Sequence, residues 1–293
     1  MNADYSLART RSIRVMLFSV ILVFAGNGLA QTPPPKPTPS LEKKFFVNIL
    51  KDQRAIWTSP FHLHGTDAKW LAPLGLSTVA LIATDRRTAG GLGNNPTRLR
   101  ISRDFSWFGS TYATVGTAGI LYLAGRATHN NHLRETGLLG AEALLDSGIV
   151  VTALKTASQR QRPTTDHSSG EFFDGGAAFP SGHAISAWSL ATVIAKEYGH
   201  RRPLVQVGAY GLATAVSLSR YTGRNHFLSD VLVGSALGYG IGRYVYHKHH
   251  DPTLDARNEK QKDTVVRSKL FPRIVPLYSP RARLYGGMLE WNF

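Results

Sequence analysis

From residue 41 onward, apolar and polar positions divide the chain into blocks of helical length. Phe45, Phe46, Ile49, Leu50 and Ile56-Trp57 alternate with Lys43, Lys44, Lys51 and Arg54, which predicts an amphipathic helix over residues 41–60. Basic and aromatic residues suit a helix lying in a membrane interface, and they suit equally a surface helix packed on its own domain. Apolar runs follow at Trp70–Thr84, Thr111–Gly125, Thr136–Leu154, Ala184–Tyr198, Leu204–Leu218 and Leu228–Tyr246. These runs are long and lack strict alternation, so helices are expected rather than strands, joined by loops carrying Gly, Asn, Pro and charge. Gly234, Gly238 and Gly242 recur every four residues along the last run, which would let another helix approach closely. The expected fold class is all-α: a six-helix bundle over residues 65–248 with no internal repeat. Residues 249–293 read as a basic tail. Within it Arg273-Ile-Val-Pro-Leu-Tyr and Arg283-Leu-Tyr-Gly-Gly-Met-Leu-Glu-Trp flank the turn signal Ser279-Pro280, which predicts a small β-hairpin.

The N-terminal pattern is of another kind. Arg9, Arg11 and Arg14 precede the apolar run Val15–Ala25, and Gly28-Leu29-Ala30 then offers small residues before Gln31. This is the pattern of a signal peptide over residues 1–30. The run falls short of the roughly 20 residues that span a bilayer; an uncleaved anchor is the alternative. Residues 31–40 contain five prolines between Thr32 and Ser40 and read as an extended linker.

Composition narrows the partners. The formal charge of +15 and a pI near 10.2 favour anions such as phosphate esters or lipid headgroups. Nucleic acid is not expected, because the basic residues form no single stripe and no nucleic-acid motif is present. Without cysteine the chain has no disulfide, thiolate catalyst or cysteine-bound zinc. His247, His249 and His250 could bind a metal, but they sit in a basic stretch that reads more simply as a solvated tail.

Chemistry concentrates in three segments: Lys155-Thr-Ala-Ser-Gln-Arg-Gln-Arg162-Pro163, Pro180-Ser181-Gly182-His183, and Ser219-Arg220-Tyr-Thr-Gly-Arg-Asn-His226-Phe-Leu-Ser-Asp230. Breaking a phosphate ester requires charge neutralisation on the phosphoryl oxygens, an in-line nucleophile and an acid for the leaving oxygen. Lys155, Arg162 and Arg220 are suited to clamp oxygens, arginine with a planar fork and lysine as a point charge. Lys155 and Arg162 lie about two helical turns apart, so one helix face could carry both, with Pro163 ending the helix. Ser181 suits an N-cap, and Gly182 allows close approach to N–H groups that attract anions. His183 would stand at the rim as general acid. His226 and Asp230 are one helical turn apart, so the carboxylate could fix the imidazole tautomer and leave the other nitrogen to attack. Glu142 and Asp146 are expected to pair with basic side chains of the bundle.

These segments resemble, position for position, the three-part signature of the type 2 phosphatidic acid phosphatase and vanadium haloperoxidase superfamily. The resemblance covers roughly residues 70–248. It implies a helical bundle of the acid phosphatase/haloperoxidase type and a phosphatase that needs no metal. It also implies that His226 forms a phosphohistidine, that His183 protonates the leaving group, and that Lys155, Arg162, Arg220, Ser181 and Gly182 bind the phosphoryl oxygens. The expected function is hydrolysis of phosphate monoesters or diphosphates: a lipid phosphate, an isoprenoid diphosphate or a small phosphate ester. No protein partner can be inferred. Vanadate is expected as an inhibitor.

Two other functions fit the same residues. A haloperoxidase would use vanadate as cofactor, although such chains are generally much longer and no added halide site is visible. A non-catalytic lipid- or phosphate-binding protein of the cell envelope would need neither the acid nor the nucleophile. Location follows from similar reasoning. A mean hydropathy of −0.14 is low for a protein of many spans. With a cleaved leader, three spans would also bring Lys155 to the cytoplasmic side. The expected location is therefore the cell envelope, periplasmic after cleavage; the alternative is an integral inner-membrane protein with an external active site. Substrate selection is expected to lie in loops such as Thr164–Phe179.

Overall fold

All six apolar runs fold as helices in the computed structural model, which describes residues 41–164, 170–199, 202–253, 273–279 and 284–290. The expected leader at 1–30 and the linker at 31–40 lie outside these residues. The helices are α1 (Leu41–Thr58), α2 (Ala68–Gly90), α3 (Pro96–Trp107), α4 (Thr111–Ala127), α5 (Asn131–Ser158), α6 (Gly182–Gly199), α7 (Pro203–Thr222) and α8 (Leu228–His249).

Helix α3 falls in what reads from sequence as a basic connection. Its start is well specified: Pro96 takes the first helical position, and Asn95 Oδ1 accepts the N–H of Arg98 at 3.0 Å. Its buried face consists of Ser102 and Ser106, one turn apart, so it offers no apolar period to detect. Polar caps also start α4, where Ser110 accepts from Ala113, and α5, where Asn130 accepts from Leu133.

Helix α6 is central. Ile185 and Val193 pack with Leu139, Ala143 and Val150 of α5 and with Ile241 and Val245 of α8. Ala187 and Ala191 turn the other way, onto Ala213 and Val216 of α7. The glycine stripe of α8 does bring it against α6. A Cβ built on Gly234, Gly238 or Gly242 would lie 2.7, 2.4 or 2.5 Å from the carbonyl oxygens of Ser181, Ile185 and Ser189. The α4–α5 pair is closed in the same way, since a Cβ on Gly137 would lie 2.3 Å from the Tyr122 nitrogen.

The amphipathic helix α1 packs on the bundle through Ile56, which joins the apolar cluster of α5, α6 and α8, and through polar contacts. Gln53 Nε2 donates to Asp146 Oδ1 at 2.8 Å, and Tyr244 Oη donates to the buried Asp52 Oδ1 at 3.2 Å. One carboxylate oxygen of Asp146 is thus engaged by the Gln53 amide. Phe46 and Leu50 on α1 remain exposed.

Residues 247–293 form a second unit. The expected hairpin is present there, with β1 (Arg273–Ser279) and β2 (Leu284–Glu290) pairing antiparallel from Arg273↔Glu290 to Ser279↔Leu284.

Candidate active site

The signature segments meet at one end of the bundle, and a different local structure delivers each. Helix α5 stops at Ser158, well short of Pro163. Gln159 adopts a left-handed conformation (φ 45°), and its N–H caps the Lys155 carbonyl. Lys155 therefore sits on the last turn of α5, while Arg162 comes from the extended chain beyond it. The two do not share a helix face, as their spacing had suggested. The chain after Ser158 instead forms a short ladder with residues 171–178: Gln161 N donates to Glu171 O at 3.0 Å, Phe173 N to Ser158 O at 2.8 Å and Ala178 N to Arg160 O at 2.8 Å. Arg162 is exposed at the margin.

Ser181 immediately precedes α6 and is fully buried, and its N–H donates to the Asp230 carbonyl at 3.0 Å. Its hydroxyl makes no hydrogen bond, so it does not cap its own helix as expected. A Cβ on Gly182 would reach Lys155 Cε at 3.9 Å, which places the lysine alongside the start of α6. The Lys155 ammonium itself donates to the Ala177 carbonyl. His183, in the first turn of α6, lies within electrostatic reach of Arg220, His226, Arg162 and Lys155.

Arg220 and His226 are joined by a tight turn in which the N–H groups of Asn225 and His226 both donate to the Arg220 carbonyl, at 3.1 and 3.2 Å. The Arg220 guanidinium is mostly buried. Its Nη1 donates to Ser106 Oγ at 2.7 Å, and its Nε has no partner. Ser106 in turn bonds Ser219 Oγ at 3.1 Å. The helix hidden from the sequence pattern therefore supplies the residue that aims the arginine.

His226 is 2% exposed. Its Nδ1 lies 2.8 Å from the Ala178 carbonyl oxygen and 3.5 Å from Asp230 Oδ2. A carbonyl accepts only, so Nδ1 carries the proton and donates it, and the lone pair sits on Nε2. The expected pairing with Asp230 is present as a close charge, while the shorter hydrogen bond goes to a main-chain oxygen. Asp230 Oδ2 also accepts the Phe227 N–H at 2.9 Å, tying the carboxylate into the start of α8.

Burial pushes the His226 pKa below the ordinary imidazole value; Asp230 opposes this and does not prevail. Were neutral His226 required for turnover, the acid limb of log kcat/KM would fall below pH 6.5, the ordinary histidine value. Asp230→Asn removes the group that favours the imidazolium. The limb should then move to still lower pH while the plateau rate drops. Initial rates from pH 4 to 8 check this; a limb that moves to higher pH contradicts the geometry.

Two buried charged residues that the sequence reading left unassigned adjoin the site. Arg160, a spacer position in the first segment, is 1% exposed, and so is Asp85 near the end of α2. They meet at an Nη2–Oδ2 distance of 2.9 Å, and Arg160 Nη1 reaches Asp230 Oδ1 at 2.6 Å.

A family profile described as the PAP2 superfamily matches residues 136–253. The decaprenylphosphoryl-5-phosphoribose phosphatase of Mycobacterium tuberculosis is 32% identical over 157 residues, covering 53% of this chain and 82% of that one. The chain belongs to the PAP2 superfamily. Another PAP2-type relative, the lipid A 1-phosphatase of Porphyromonas gingivalis, is 38% identical over 101 residues, which cover 34% of this chain and 20% of that protein's length. Among solved structures, Aquifex aeolicus LpxE aligns with a TM-score of 0.42 at 20% identity, covering 53% of this chain and 88% of that one. The transmembrane PAP2-type phosphatidylglycerolphosphate phosphatase of Bacillus subtilis aligns with a TM-score of 0.47 at 20% identity, covering 70% and 94%.

Proposed function

We propose that this protein is a phosphatase of phosphorylated lipids that works through a phosphohistidine on His226. The observation that carries the reading is the pairing of a buried imidazole, its lone pair directed to Nε2, with a cationic cage containing unspent donors. Ser181 Oγ and Arg220 Nε are buried polar atoms with no partner. Such atoms are costly unless a ligand uses them, and a phosphoryl group offers the oxygens they lack.

The chemistry follows. Lys155, Arg162 and Arg220 hold the non-bridging oxygens, and His226 Nε2 attacks phosphorus in line. As the P–N bond forms, the P–O bond to the leaving group breaks, and the departing oxygen takes a proton from His183. Water, losing its proton to His183, then attacks phosphorus; the P–N bond breaks, releasing inorganic phosphate and restoring neutral His226. The residues supply both acid and nucleophile, and family phosphatases need no metal. The relatives named above are phosphatases, which favours this reading over a haloperoxidase.

The lipid assignment rests on surface chemistry and on the relatives' names. Trp70 and Leu76 on α2 are each 73% exposed, Tyr112 on α4 is 89% exposed and Leu204 on α7 is 84% exposed. Glu135, Thr136, Asp146, Ser147, Ser189 and Thr192, by contrast, are fully buried. Apolar side chains left on the outside, with charged and hydroxyl groups enclosed beside the apolar clusters, suit a bilayer. Helix α5, 28 residues with a mean hydropathy of 1.5 in its most apolar window, is the one helix among the described residues long and apolar enough to span. Helix α3 beside the cage exposes Arg100, Arg103, Phe105 and Trp107, as an interfacial helix would. We therefore favour an integral membrane protein over the soluble periplasmic alternative. Two of the relatives act, by their names, on lipid A and on a decaprenyl-linked phosphate.

The test is a panel of phosphatidic acid, an isoprenoid diphosphate and p-nitrophenyl phosphate, assayed in chelator with the purified full chain. Phosphate release is expected in every case, fastest from the lipids, with vanadate inhibiting. Failure to release phosphate from any of them overturns the assignment. Carbonate washing should leave the protein in the membrane pellet; release into the supernatant overturns the membrane reading.

A further inference from the structure

The donors of Arg160 are almost fully engaged. Nε donates to the Gly170 carbonyl at 3.0 Å, Nη1 to Ser229 Oγ and Asp230 Oδ1, both at 2.6 Å, and Nη2 to Asp85 Oδ2 at 2.9 Å. Its guanidinium carbon also lies over the rings of Phe172 and Phe227, 4.7 and 4.4 Å from their centroids. Asp85 is held in turn by Ser229, whose N–H donates to Oδ1 at 3.3 Å and whose hydroxyl donates to Oδ2. Desolvating a guanidinium and two carboxylates is expensive, and such clusters often add little stability over apolar packing. The geometry points to another use.

We propose that Arg160 is a positioning residue for the reaction, fixing both oxygens that face His226 Nδ1. Its side chain holds Asp230 by Oδ1, which directs Oδ2 toward the imidazole. Its main-chain carbonyl accepts the N–H of Ala178 at 2.8 Å, the residue whose own carbonyl receives the Nδ1 proton. One residue thus sets both contacts that choose the His226 tautomer and ring orientation. Asp85 keeps the guanidinium in place from the far end of α2. Lysine could supply the charge but not the fork: with one nitrogen it cannot reach Asp85, Asp230 and the Gly170 carbonyl together. Arg160 touches no phosphoryl oxygen in this scheme; it acts through Asp230 and Ala178. The proposal rests on the reading of His226 as nucleophile.

The test is a double-mutant cycle between Arg160 and Asp230, read on p-nitrophenyl phosphate hydrolysis by the full chain in detergent. Arg160→Gln should lower kcat by roughly 100-fold and Arg160→Lys by roughly 10-fold, with KM within about 3-fold of wild type, because misorientation of a reacting group acts on the chemical step. In the Asp230→Asn background the same Arg160 change should cost far less, because Asp230 is then no longer there to be held. Losses that multiply independently overturn the proposal, and so does a change confined to KM or an Arg160→Gln enzyme with full kcat. Where Arg160→Gln fails to fold, as judged by thermal unfolding, the Arg160→Lys cycle carries the same test. Radiolabelled phosphate trapped on wild type but not on His226→Ala separates the two readings. Without that label the nucleophile assignment fails and takes the positioning role with it; with the label present and an additive cycle, only the positioning role falls.

Discussion

Replacing His226 by Ala is expected to abolish turnover and the covalent phosphoenzyme together. On the proposed mechanism the variant removes the atom that forms the P–N bond, and the neighbouring polar groups are committed elsewhere. Asp230 is occupied by Arg160 and by the Phe227 N–H. Lys155 donates to the Ala177 carbonyl, and His183 is assigned to proton transfer in the proposed mechanism. The cage would remain able to bind phosphate, so KM should change little, while kcat should fall by roughly 10⁴-fold or more, as when other covalent nucleophiles are removed. The label on wild type should be lost in acid and survive base, as a phosphoramidate is. His183→Ala should behave differently: it should still form the label from p-nitrophenyl phosphate, whose leaving group needs little protonation, and fail mainly on alkyl phosphates. An active His226→Ala enzyme, or a label surviving in it, would remove the basis for the proposed mechanism.

The second large effect concerns how the bundle closes. In an exposed helix, Gly→Ala stabilises by about 1 kcal/mol. At Gly238 the sign should reverse, because the new Cβ would lie 2.4 Å from the Ile185 carbonyl oxygen and 2.9 Å from Trp188 Cβ. The obstacle at Ile185 is main chain and cannot swing aside, so α6 and α8 must separate, at a cost of about 1–3 kcal/mol. Separation also moves Ser181, just before α6, and His183 on α6 away from Asp230 on α8, so activity should fall with stability. Gly240→Ala provides the control two residues away, since nothing lies within 4 Å of its Cβ position. Thermal unfolding in detergent should show Gly238→Ala several degrees below wild type and Gly240→Ala level with it or above. Equal behaviour of the two would mean that the stripe does not set the helix spacing.

The parts of this protein that could be read from its sequence are those where side-chain identity carries the information. Six helices announce themselves by apolar runs, and the stripe at Gly234, Gly238 and Gly242 marks a close contact because only a missing Cβ permits it. His226, Asp230, Arg220 and Lys155 stand out by residue type and spacing. The rest depends on burial and on the main chain, which leave little trace in a letter code. Arg160 and Asp85 look like two more charges in a charged chain, and only their enclosure distinguishes them. The end of α5 is set by the left-handed Gln159, a conformation its residue type does not demand, so Pro163 proved a misleading marker. The Ala178 carbonyl, the nearest acceptor to His226 Nδ1, is a peptide oxygen that any residue would supply. Helix α3 escaped notice because its inward face carries serines.

The ladder between residues 158–161 and 171–178 has a consequence for how such an enzyme changes substrate. It pins the stem of the 164–170 connection on both sides: Ser158 Oγ donates to the Phe179 carbonyl at 2.8 Å, and Gln161 N to Glu171 O at 3.0 Å. Lengthening a connection between fixed ends carries only a slow, logarithmic entropic penalty. Residues between Thr164 and Gly170 can therefore be exchanged or extended while Lys155, Ala178 and His226 keep their places; Gly170 itself is fixed, since its carbonyl accepts from Arg160 Nε at 3.0 Å and a Cβ there would lie 2.6 Å from the Phe227 ring. If substrate selection lies in this loop, as expected from sequence, exchange there should change the substrate preference without dismantling the site.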